Sequence, residues 1–97
     1  MAEKLTGQIT VGTAGTAVQG PSTPSGIEFV IKGHPGNAGS VAFGNDGNDD
    51  VTMDNGYVLA AGDEVRATFF GGAPNALSAM YFDVANDGDK FCWIKVR

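Results

Sequence analysis

Chemistry in a folded chain needs titratable or metal-ligating side chains brought together, and this sequence offers few. It holds one histidine, His34, and one cysteine, Cys92. His34 precedes Pro35 in a glycine-rich stretch with no serine or cysteine nucleophile in its context, which is the setting of a loop residue rather than a general base. Cys92 lies between Phe91 and Trp93, where a free thiol acts as a small buried hydrophobe. No adjacent base marks it as a reactive thiolate. A lone cysteine also excludes an intramolecular disulfide.

Two acidic stretches invite a calcium test. Asp46, Asn48 and Asp50 alternate as they do at the start of an EF-hand loop. The sixth position is Val51 rather than glycine and the twelfth is Tyr57 rather than glutamate, so the helix-loop-helix pattern fails. Asp83, Asp87 and Asp89 form the second cluster. Asp and Asn favour turns because they hydrogen-bond their own backbone, and both stretches are expected to be solvated turns. Neither a dinucleotide fingerprint nor a phosphate-cradling lysine loop is present. The expectation is no enzyme, no catalytic residue, no cofactor and no metal.

The elements around these residues are short. Fifteen glycines and four prolines punctuate 97 residues. Between them Gln8–Val11, Thr16–Gln19, Ile27–Lys32, Ser40–Phe43 and Glu64–Phe70 read as strands, several of them alternating polar with apolar. Val51–Met53 and Tyr57–Leu59 flank Asp54-Asn55-Gly56 and predict a hairpin, as do Leu77–Val84 and Lys90–Val96 around Asp87-Gly88. Residues 73–80 could hold a helical turn. No segment has sustained 3.6-residue periodicity. The expected fold is all-β: a small antiparallel β-sandwich or jelly-roll-like barrel of about eight short strands, in one domain spanning residues 1–97. Polar residues 1–7 are expected to be an extended N-terminal arm.

Charge narrows the partners. Eleven acids oppose six bases for a net charge of −5, and the bases are scattered along the sequence. No basic run is available to neutralise phosphates, so nucleic acid is not an expected partner. No stretch approaches the roughly 18–20 apolar residues of a membrane span, and the first residues carry no signal-peptide core.

Some strands are apolar on both sides. One face of the last carries Cys92, Ile94 and Val96, and the other Phe91 and Trp93; in Leu77–Val84 the second face includes Tyr81. Either loops of the same chain cover the second face, or that face is an interface, where aromatics are enriched and charges depleted. Phe91, Trp93 and Tyr81 are the candidates for self-association or binding.

The order of motifs resembles a family of small tailed-bacteriophage virion proteins of the capsid decoration (cement) or head-fibre-base type. The resemblance rests on Ile9-Thr10-Val11, then Gly15–Gln19, then Gly26–Lys32. It continues through Asn37–Gly44 and Asn55–Glu64 to the closing aromatic strand. Ala42 stands where the family pattern often has a larger aromatic, and Gly44–Asp50 looks like an insertion. The resemblance implies a homo-oligomeric module, dimer or trimer, made in the host cytoplasm and sited on the outer surface of the virion. There it would bind the major capsid protein across capsomer boundaries. The alternative is a carbohydrate-binding β-sandwich that stacks a sugar on exposed Trp93 or Tyr57.

Overall fold

The computed structural model describes residues 4–22, 26–45, 47, 48, 50–73 and 76–97; for 26, 27, 69–73 and 76 it describes the backbone alone. Among them are eight strands: β1 (Thr6–Thr10), β2 (Val18–Gln19), β3 (Gly26–Gly33), β4 (Val41–Gly44), β5 (Tyr57–Leu59), β6 (Glu64–Ala73), β7 (Tyr81–Val84) and β8 (Lys90–Lys95). They form two four-stranded sheets, in the orders β1-β8-β3-β6 and β2-β7-β4-β5. Every pairing is antiparallel. The fold is the small all-β sandwich that the turn-rich alternation predicts.

The period-two rule decides which side chains enter the core. Ile9, Phe29, Ile31, Phe91 and Trp93 come from the first sheet; Val41, Phe43, Leu59, Phe82 and Val84 come from the second. The rings join the layers. Phe91 meets Phe82 edge-on at 4.8 Å, Phe82 stacks on Phe43 at 5.8 Å, and Trp93 meets Phe29 edge-on at 6.3 Å. These are the offset and T-shaped geometries that the aromatic quadrupole favours.

Four expectations need correction. Val51–Met53 is not a strand: Thr52 opens a turn in which its carbonyl accepts from Asn55 and Gly56, and β5 pairs with β4 instead. Leu77–Val84 is not one strand, because Ala76–Ala79 forms a turn of 3-10 helix and seats Leu77 in the core. Asp87-Gly88 does not close a hairpin, since β7 and β8 belong to different sheets. The link crosses from one layer to the other and is fixed at Val11, which accepts from Gly88 and donates to Asp89. Finally, Thr6 and Gly7 are strand residues paired with Ile94 and Trp93, not part of an arm; residues 1–3 of that arm lie outside the described residues.

Candidate functional site

Aspartates hold the loops. Asp83 Oδ1 accepts from the backbone N–H of Gly15 at 2.9 Å and of Val84 at 2.8 Å, although Asp83 is buried. Asp87 Oδ1 accepts from Ala14 at 2.8 Å. Asp89 accepts from Ala38 and Gly39, one bond to each carboxylate oxygen, at 3.1 and 3.0 Å. Buried carboxylates are stable when backbone donors replace their water. The acids of the last link therefore act as loop anchors, and no group of three potential metal ligands occurs among the described residues. In the acidic loop, Asn45 Oδ1 accepts from Gly47 N–H and Asp50 Oδ1 from Val51 N–H; Asp46 and Asp49 lie outside the described residues. His34 Nδ1 accepts from Gly36 N–H at 2.9 Å, a local turn contact.

The two sheets differ in what covers their outer faces. On the second sheet Ala42 and Asp83 point outward, opposite in parity to core residues Val41, Phe43 and Phe82, yet both are buried. The loop carrying Gly15 bonds Asp83. The turn after Val51 lies over Ala42, close enough that a Cβ on Gly56 would meet Val51 Cγ2 and Ala42 Cβ. Val51 is buried under this cover rather than in the inter-sheet core. One of the two explanations for two-sided strands thus holds here: the chain's own loops cover the second face.

No such cover lies on the first sheet among the described residues. Its outward rows are Thr6–Ile94–Val30–Arg66 and Gln8–Cys92–Lys32–Glu64. All of these residues but Arg66, with Gly7 and Trp93, line an open groove of about 370 Å³. Ile94 is 44% exposed and Val96, next on the same side, 43%. Cys92, half-buried, sits in this groove.

At one end of the face Glu28 is clamped. Its Oε1 takes Arg97 Nε at 2.9 Å and Arg66 Nη1 at 3.2 Å, and Thr68 Oγ1 donates to Oε2 at 3.3 Å. The Glu28 side chain is only 4% exposed, while both arginines remain largely in solvent. The hydrogen bond from Arg97, with Arg66 behind it, holds the carboxyl below its ordinary value against the opposing effect of desolvation. The backbones of Glu28 and Arg97 also bond each other in both directions, so the chain end is tied to β3.

All six Lys and Arg residues lie in strands of the first sheet or within two residues of their ends, whereas Asp83 is the sole charged residue in the strands of the second. The sequence hides this segregation. Lys32, Arg66 and Lys90 come together only when β3, β6 and β8 pair.

The three aromatic candidates do not form one surface. Phe91 and Trp93 are 0% and 4% exposed and belong to the core. The self-association face expected of them is not theirs to form within this sandwich, because the larger side chains of β8 fill the space between the layers. The outer face passes to Cys92 and Ile94. Tyr81 is half-buried on the opposite sheet, in the row Gln19–Tyr81–Gly44. Tyr57 is 58% exposed at the rim, with its ring 5.8 Å from Phe43. No protein-family model, curated protein or solved structure matches the chain.

Proposed function

We propose that this protein is a structural module that decorates and stabilises a phage capsid, docking through the bare outer face of β1-β8-β3-β6. One observation carries the reading: of two outer faces, one is covered by the chain's own loops at Ala42 and Asp83, and the other is, among the described residues, an open, partly aliphatic groove bordered by Lys32 and Glu64. The motif resemblance supplies the virion, the outer capsid surface and the major capsid protein as partner. Aliphatic rows flanked by Lys32 and Arg66 suit a broad protein surface with acidic groups, since complementary charge steers docking and fixes register. A module that binds only the assembled, expanded lattice stabilises that lattice by mass action, by about 2.7 kcal/mol per site when its free concentration is a hundred times Kd.

The test is co-sedimentation of the purified protein with expanded heads and with procapsids. Retention on expanded heads alone, abolished by Ile94→Glu and kept by Val58→Glu on the second sheet, is the expected result. Equal binding by both variants would remove the first-sheet face from the account.

The carbohydrate reading keeps one observation in its favour, the exposed Tyr57 beside Val58, itself 47% exposed. Trp93 no longer supports it. Retention on a glycan column that is lost in Tyr57→Ala would favour this reading over capsid decoration.

A further inference from the structure

A sheet edge exposes a row of unpaired backbone donors and acceptors, and proteins guard such edges with charge, proline, bulges or brevity. This sandwich has four edges: β1 and β6 in the first sheet, β2 and β5 in the second. β2 and β5 are two and three residues long. β6 begins Glu64-Val65-Arg66, with two charges in its first three residues, and its register with β3 shifts between Gly26 and Glu28. Among the described residues β1 has none of these protections. Its five residues, Thr6-Gly7-Gln8-Ile9-Thr10, contain no charge and no proline, and they pair with β8 without a register break.

Register shows which groups are open. Leu5 accepts from Lys95 N–H at 2.8 Å, and Val11 donates to Asp89 at 3.1 Å. In an antiparallel ladder hydrogen-bonded pairs alternate, so the odd residues of this strand bond β8 and the even ones turn their N–H and C=O outward. Thr6, Gln8 and Thr10 thus present three donor–acceptor pairs along the free edge, and all three residues are exposed.

We propose that β1 pairs with β1 of a second copy of this chain, antiparallel about a two-fold axis through Gln8. The strand is self-complementary in that register. Thr6 faces Thr10 of the other copy, Gln8 faces Gln8, and Thr10 faces Thr6. Each of these facing pairs exchanges two backbone hydrogen bonds, and cross-strand threonine pairs are favourable. On the other side of the strand Gly7 faces Ile9, small against large. Leu5, a large apolar residue left 45% exposed, gains a neighbour opposite Val11. Lys4 falls opposite Gly12, so no like charges meet. An isologous contact of this kind closes on itself and joins two four-stranded sheets into one of eight. It leaves the outer face of both sheets open and does not depend on capsid binding.

Sedimentation equilibrium of the full chain tests this. The 10.0 kDa protein is expected to approach twice that mass as concentration rises. Gln8→Lys and Gln8→Glu each place like charges across the axis and should weaken the dimer by about tenfold or more. An equimolar mixture of the two variants should associate at least as tightly as the parent, because opposite charges then face each other. Val58→Lys, on the other sheet, should leave association unchanged. Gln8 is exposed and its outward N–H makes no ladder bond within the monomer, so both variants should keep the buried-Trp93 emission of the parent. A protein that stays monomeric to about 1 mM, a dimer indifferent to both Gln8 variants, or a mixture no tighter than its components would each overturn the proposal.

Discussion

Gly7 sits opposite Trp93 in the ladder, and the indole packs against it. A Cβ at this position would stand 2.8 Å from Trp93 Nε1, 2.9 Å from Cε2 and 3.0 Å from Cζ2. Ordinary carbon contacts are about 3.5–4.0 Å, so a rigid ring would have to retreat by about 0.5–1 Å. It has little room, being 4% exposed and backed by the fully buried Phe29. Two effects compete in Gly7→Ala. Removing a glycine from a strand gains about 0.5–1 kcal/mol, whereas overpacking costs about 1–3 kcal/mol. The clash should win, for a net loss of about 1–2 kcal/mol and a fall in Tm of about 5–15 °C. Urea unfolding followed by Trp93 fluorescence reads the change directly. Gly12→Ala is the control, because nothing lies within 4 Å of its Cβ, and it should be neutral or slightly stabilising. A Gly7→Ala protein as stable as the parent would refute the packing of Trp93 over β1.

Asp83→Ala leaves the N–H groups of Gly15 and Val84 without their acceptor and should cost about 1–3 kcal/mol, with faster hydrogen exchange at Gly15. The lowered carboxyl of Glu28 gives stability that is present above its ordinary value of 4.5 and is lost as pH falls through its lower folded value. Glu28→Gln should therefore melt below the parent at pH 7, and the gap should close in acid; a constant gap from pH 7 to the acid limb would contradict the Arg97 clamp. Trp93 emission should be blue-shifted and insensitive to added sugars, as fits its burial.

Much of the fold is legible in the residues themselves. β1 and β3 show the alternation of half-buried strands, and glycine-rich stretches follow them. The failures have physical causes. Val51 is apolar because it covers Ala42 from outside, not because it lies in a strand, and local pattern cannot tell one burial from the other. Asp87-Gly88 makes a turn as expected, but the strands it joins are assigned to different sheets by long-range pairing. In β8 both faces are apolar, and only the space between two packed layers selects Phe91 and Trp93 over Cys92 and Ile94. Gly20 shows the limit from another side: it is glycine because a Cβ there would collide with the Leu77 carbonyl, a neighbour remote in sequence. The candidate site is less legible than the fold. Its bases are dispersed in sequence, and its openness is evident only by contrast with the sheet that the loops cover.

If the open face of the first sheet is the working surface, binding to expanded heads separates single substitutions on the two faces. Ile94→Glu and Lys32→Glu should each reduce co-sedimentation about tenfold or more, since a charge is misplaced at the centre of the contact or its complement is reversed. Val58→Glu should bind as the parent does. Loss of binding in Val58→Glu with binding preserved in Ile94→Glu and Lys32→Glu would place the working surface on the second sheet instead.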